Sequence, residues 1–246
     1  MLTARPVALI TGAARRIGAG IARSLHAAGY DLALHYRDSS AEMQALAAEL
    51  ETARAGSTLT LQADLAEFDR LPELVARTIG RYGRLDALVN NASTFRPTPL
   101  GTITPAQWDE QFASNARAPF FLAQAAAPHL KAARGAIVNL VDIYAERPLR
   151  GHAVYCMAKA ALAMATKSLA LELAPEVRVN AIAPGAILWA ENETSTAKKV
   201  AMLARTPLGR TGTPDEIAEA VRWLLQDARY TTGQILRVDG GRLLEG

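Results

Sequence analysis

Short runs rich in Val, Ile and Leu recur along this chain, each followed by a longer segment with apolar residues at 3.6-residue spacing. No other feature restricts the fold as much. The apolar runs are Val7–Thr11, Leu32–Tyr36, Leu59–Ala63, Ala87–Asn91, Ala136–Asp142, Arg178–Ala183 and Ile235–Val238. Strands this apolar are buried on both faces, as in a parallel sheet. Between them, helical periodicity spans residues near 15–28, 40–54, 68–82, 106–131, 152–174 and 214–226. Right-handed crossovers between such units predict an α/β fold, a doubly wound parallel sheet with helices on both faces.

At 246 residues, half of them apolar, the chain is long enough for one sizeable core, and the expectation is a single domain over 1–246. Residues 186–206 read polar and irregular and are expected to form a substrate lid. The formal charge is +3, and the basic residues are scattered without a long run, so neither nucleic acid nor a membrane surface is an expected partner. No apolar run reaches membrane-spanning length. The lone Cys156 cannot form an intrachain disulfide and is expected to be inert packing. The N-terminus lacks a signal-peptide pattern, so the expected setting is the cytoplasm. His26, His35, His129 and His152 stand apart from one another and from the cysteine, and no metal site is expected.

The first strand runs into Thr11-Gly12-Ala13-Ala14-Arg15-Arg16-Ile17-Gly18 and then a helix, the pattern of a Rossmann-type dinucleotide site. Small residues there let a pyrophosphate approach the backbone at a helix N-terminus, with Gly12 and Gly18 the closest contacts. A plain strand-to-helix turn would use glycine equally well. Sites that prefer NAD place an acid at the end of the second strand to bind the ribose hydroxyls. Here that strand ends His35-Tyr36-Arg37, and Arg16 with Arg37 would hold a 2′-phosphate, favouring NADP(H). Asp38 would oppose that phosphate if it pointed inward, and Ser39 or Ser40 would either donate to it or cap the next helix.

Tyr155 and Lys159 are four apart on one helical face, so the ammonium would lower the phenol pKa and make Tyr155 a candidate general acid. A Y-x-x-x-K pair alone is weak, and its weight comes from its surroundings. Taken in order, Thr11-Gly12 through Ile17-Gly18, Asn90-Asn91-Ala92, Asn115, Tyr155 through Lys159, Pro184-Gly185 and Val238-Asp239-Gly240-Gly241 resemble the short-chain dehydrogenase/reductase family. The resemblance covers essentially the whole chain. It implies that Tyr155 is the proton donor, that Lys159 binds the nicotinamide ribose and tunes Tyr155, and that Asn115 holds a water at a helix bend. It adds Arg15, Ile17, Tyr36, Leu65, Asn91, Ala92, Ser93, Pro184 and Gly185 to the cofactor contacts, with Asp64 on the adenine, although Asp64 would serve equally as a helix N-cap.

One position departs from the family pattern. Where a serine is usual, thirteen residues before the tyrosine, this chain has Asp142. A serine donates to a substrate carbonyl; an ionised aspartate only accepts and would repel a developing alkoxide. A carboxylate suits a substrate that offers N–H donors or a ring nitrogen to protonate, unless Asp142 is merely a cap at the strand end.

The segment Asn91 to Leu100, the Arg15-Arg16 pair, His35-Tyr36 and the Asp142/Tyr155 pairing resemble the pteridine reductase branch. That branch implies that Phe95 stacks on a pterin against the nicotinamide, that Arg16 and Ser93 touch the substrate, and that the protein is a homotetramer. Phe95 would otherwise be a loop aromatic over the core edge. Leu149, His152 and Trp189 would line the pocket or simply pack. The leading expectation is NADPH-dependent reduction of a dihydropterin or dihydrofolate. The rivals are a carbonyl reductase and a non-catalytic NADP-binding sensor or scaffold. Small and apolar groups around most of the 152–174 helix, from Ala160 to Ala165, favour self-association.

Overall fold

The computed structural model describes residues 5–188 and 195–244. Seven strands form one parallel sheet: β1 Val7–Ile10, β2 Asp31–Tyr36, β3 Thr58–Gln62, β4 Ala87–Asn90, β5 Ala136–Leu140, β6 Arg178–Pro184 and β7 Ile235–Val238, in the order β3-β2-β1-β4-β5-β6-β7. Strand order reverses between β1 and β4, whose register pairs Leu9 with Leu88 and Ile10 with Val89. A crevice at such a switch point, outside the carboxyl ends of the strands, is where doubly wound sheets take ligands.

The two-residue period of the strands divides the core. Ala8, Ile10, Leu32, Leu34, Val89 and Val138 face one layer, while Val7, Leu9, Ala33, Leu88 and Ile137 face the other. The first layer is covered by α1 (Arg16–Ala27), α2 (Ser40–Ala53) and α8 (Pro214–Gln226), the second by α3 (Arg70–Tyr82), α5 (Ala118–Ala133) and the end of α6 (Ala153–Glu172). Each buried Leu or Ile contributes about 1.5–3 kcal/mol. Among the described residues, α6 alone is long and apolar enough to cross a membrane by length and composition; half of that stretch is buried in the fold, which makes it a core helix.

Two elements differ from the sequence expectation. The helix read near 106–131 is broken into α4 (Pro105–Phe112) and α5 by a π turn at Ala113–Arg117. The Asn115 Nδ2 inserts there, donating to the Gln111 carbonyl at 2.9 Å, and a side chain entering the helical ladder bends it. Within 186–206, expected to be irregular, Thr196–Ala204 forms α7. Its Ala, Lys, Met and Leu are strong helix formers, outweighed in a sequence reading by the polar residues just before them. Trp189 lies outside the described residues.

Candidate functional site

At the switch point, the loop after β1 is fastened to the loop after β4. Thr11 Oγ1 accepts the backbone N–H groups of Asn91 and Ala92, each at 3.0 Å, and Asn91 Nδ2 donates to the Thr11 and Gly12 carbonyls at 2.9 Å. Gly12 has φ +62°, and a Cβ there would lie 2.9 Å from Ala92 Cα. At Gly18 a Cβ would stand 2.1 Å from the Gly12 carbonyl oxygen and 2.8 Å from Asn91 Nδ2. Both glycines are therefore required by close backbone approach, and Gly12 by its left-handed turn conformation as well. Arg16 opens α1 in the left-handed region at φ +52°, which costs a non-glycine residue about 1–2 kcal/mol.

A residue to which the sequence reading assigned no role completes the loop. His35, buried at the end of β2, accepts from the Gly12 N–H at Nδ1 (3.2 Å), and its Nε2 donates to the Ala63 carbonyl (3.1 Å). Burial pushes its pKa down to about 4, so the neutral ring that this pair of bonds needs is the stable one. The signal was its position beside Tyr36 at the end of an otherwise apolar strand.

The loops enclose a cleft of about 400 Å³ lined by Gly12, Arg15, Arg16, Ile17, Gly18, Tyr36, Arg37, Asp64, Leu65, Asn91, Ala92 and Ser93, all expected from the sequence, together with His35, Asp38, Ser39, Thr94 and Ser114. A helix N-terminus, a Cβ-free cradle and this volume fit a dinucleotide. Pro184 and Gly185 lie at the carboxyl end of β6 and do not line this cleft. Arg37 Nε pairs with Asp38 Oδ2 at 2.6 Å, so the acid works against the charge of the cation meant for a 2′-phosphate. Ser39 occupies the N-cap of α2, but its side chain makes no capping bond. Asp64 is not the cap of α3; its Oδ1 accepts from Ala66 N–H at 2.9 Å in the turn before that helix.

Beyond β5, a 3₁₀ turn at Ile143–Ala145 follows Asp142, and α6 brings Tyr155 and Lys159 against it. The Tyr155 hydroxyl donates to Asp142 Oδ2 at 2.7 Å, while Asp142 Oδ1 accepts from Tyr144 N–H at 2.9 Å. Asp142 is thus both cap and tyrosine partner, one oxygen for each. Burial raises its carboxyl above the ordinary range, against the bonds from Tyr144 and Tyr155 and the charges of Lys159 and Arg242. Burial also raises the Tyr155 phenol well above its usual value, and the Asp142 carboxylate adds to the rise. This reverses the sequence expectation that Lys159 would lower it. The Lys159 ammonium lies 5.8 Å from the ring centroid and donates to the Leu140 carbonyl at 2.8 Å, whereas the carboxylate sits on the hydroxyl itself. Burial pushes Lys159 down to about 8.

Asn115, freed by the π turn, accepts from Ser93 Oγ at 2.7 Å and donates to the Thr94 carbonyl at 2.9 Å, which ties it to the loop after β4. That loop carries Phe95, half exposed, stacked on His152 (centroids 4.6 Å, 11°) and edge-on to Tyr155 (4.7 Å). Thr98 and His152 form an isolated parallel bridge between the two loops. Leu149 donates its N–H to Cys156 Sγ at 3.4 Å, and the cysteine is buried as expected. The arrangement can stack a flat ring on the open face of Phe95 and pass it a proton from a buried Tyr–Asp pair.

A family model described as "Enoyl-(Acyl carrier protein) reductase" matches residues 12–242. The chain is similar to pteridine reductase 1 of Leishmania tarentolae, at 38% identity over 96% of each chain. It is also similar to 3-oxoacyl-(acyl-carrier-protein) reductases of Staphylococcus aureus, at 36% over 95% of this chain and 96% of the relative, and of Synechocystis, at 37% over 99% and 98%. The chain therefore belongs to the short-chain dehydrogenase/reductase family, as an NAD(P)-dependent reductase.

Proposed function

We propose that this protein reduces a pterin, taking a dihydropterin or dihydrofolate to its tetrahydro form with NADPH. The observation that carries the reading is the 2.7 Å bond from Tyr155 to Asp142, where the family's usual serine would donate to a carbonyl. When bound, the nicotinamide supplies the hydride. Gly12 and Gly18 hold the pyrophosphate, Lys159 the nicotinamide ribose, and Arg16 and Arg37 the 2′-phosphate. Phe95 stacks on the pterin, with Ser93 and Arg16 at its polar edge. Tyr155, with Asp142 beside it, delivers the proton to the ring nitrogen next to the reduced carbon. Asn115 orients Ser93 through their 2.7 Å bond.

A second reading, reduction of a carbonyl, draws on the similarity to oxoacyl reductases, which is nearly as high as that to the pteridine reductase. The test is NADPH consumption with dihydropterin, dihydrofolate and a panel of ketones, using wild type, Asp142→Ser and Tyr155→Phe. Pterin turnover abolished by both changes supports the pterin reading. Ketone turnover alone, improved in Asp142→Ser, moves the assignment to a carbonyl reductase.

The protein is further proposed to work in the cytoplasm as a homotetramer. The outer face of α6 exposes Met157, Met164 and Leu171, the last 83% accessible, an apolar stripe that a partner helix would cover. A monomer peak in size-exclusion chromatography with light scattering would contradict it.

A further inference from the structure

The Asp142–Tyr155 pair has a neighbour that the proposed reaction does not use. Past β7, the Asp239 carboxylate folds the chain back on itself, accepting from Gly241 N–H at 2.9 Å and Leu243 N–H at 2.8 Å. Leu243 packs against the small cluster that contains Val141 and Ile143, the two residues flanking Asp142. The turn so anchored presents Arg242, whose Nη2 donates to the Tyr144 hydroxyl at 3.2 Å, while the Arg242 carbonyl accepts from Arg147 at 3.5 Å. Tyr144 is the residue whose backbone N–H is capped by the Asp142 carboxylate.

We propose that Arg242 is a positioning residue for the Asp142–Tyr155 pair: docked on Tyr144, its guanidinium sets from outside the cofactor cleft how readily the buried carboxylate takes up a proton. The charged and titratable groups facing Asp142 are Tyr155 and Lys159 from α6, Tyr144 from the 3₁₀ turn and Arg242 from the C-terminal turn. Arg147 and Cys156 bear on Tyr144, and Ser93 on Tyr155. Burial favours the neutral acid, and the two cations oppose it. They differ in permanence. Lys159, itself pushed down to about 8, can lose its charge at mildly alkaline pH. A guanidinium does not lose its charge. Arg242 is thus the fixed half of the field, and the fold of the C-terminal turn decides whether that half is present.

This assignment does not rest on the pterin reading, and its test needs no substrate. The protonated carboxyl of Asp142 gives an infrared C=O band, identified by its absence in Asp142→Asn, and the pH at which the band disappears is followed by difference spectroscopy on the full-length protein. In Arg242→Gln the band should persist to higher pH than in wild type. Arg242→Lys should restore the wild-type midpoint in large part, and Tyr144→Phe, which keeps the backbone cap but loosens the guanidinium, should shift it the same way by less. Midpoints in Arg242→Gln and Tyr144→Phe that coincide with wild type overturn the proposal. Should Arg242→Gln fail to fold, the Tyr144→Phe midpoint decides alone.

Discussion

Replacing Asp142 by asparagine keeps the shape of the side chain and removes its charge. Two donors converge on the carboxylate, the Tyr144 N–H at 2.9 Å and the Tyr155 hydroxyl at 2.7 Å. An amide has one carbonyl oxygen to offer, and the backbone N–H cannot turn away, so the Nδ2 group faces Tyr155, whose hydroxyl rotates to accept. The pair then loses its carboxyl proton and its charge-assisted bond. Such a bond is worth about 1.5–3 kcal/mol. At about 1.4 kcal/mol per tenfold, kcat/KM for dihydropterin should fall about 10- to 150-fold. Stability should not fall with it, because the variant no longer buries a carboxylate away from water. The assay pairs steady-state NADPH consumption with a thermal melt. A variant with wild-type kcat/KM, or one whose lost activity tracks a large drop in Tm, refutes the reasoning.

Three further outcomes are expected. Reductase kcat/KM should decline as pH rises, both as the Asp142 carboxyl, raised above the ordinary range, loses its proton and, near pH 8, as the Lys159 ammonium, pushed down to about 8, is neutralised; a pH–rate profile that climbs with pH contradicts this sign. Gly18→Ala forces a Cβ to within 2.1 Å of the Gly12 carbonyl. Overpacking of this kind costs about 1–3 kcal/mol, at about 2–4 °C of Tm per kcal/mol, and NADPH binding followed by nicotinamide fluorescence should weaken with it. Asp38→Asn releases the Arg37 guanidinium from its 2.6 Å partner. An exposed pair of this kind contributes about 0.2–1 kcal/mol, so the preference for NADPH over NADH should rise up to about fivefold, measured as the ratio of kcat/KM values; an unchanged ratio would place Arg37 outside the phosphate site.

The alternation of apolar runs and helical spacing was enough to give a doubly wound parallel sheet with helices on both faces, because a strand buried on both faces must be apolar at every position and right-handed crossovers leave few arrangements; the order of the strands came only from the structure. The local pattern likewise marked Gly12, Gly18, Tyr155 and Lys159, since each lies in a short motif whose spacing is set by one turn or one helix face, whereas Asp142 stood out only through the family resemblance. What joined them was not legible. Apart from the Asp142–Tyr155 pairing, which the resemblance implied, the contacts are distant in the chain: the Gly12 to His35 bond spans twenty-three residues and the Arg242 to Tyr144 bond ninety-eight. Partners so far apart are chosen by strand register and helix packing rather than by neighbours in the chain. The same holds for the proton affinities. From the sequence alone, Lys159 should make Tyr155 a stronger acid. In the folded protein it is burial and the carboxylate on its hydroxyl that decide the matter, because desolvation exists only once the tertiary structure has removed the water.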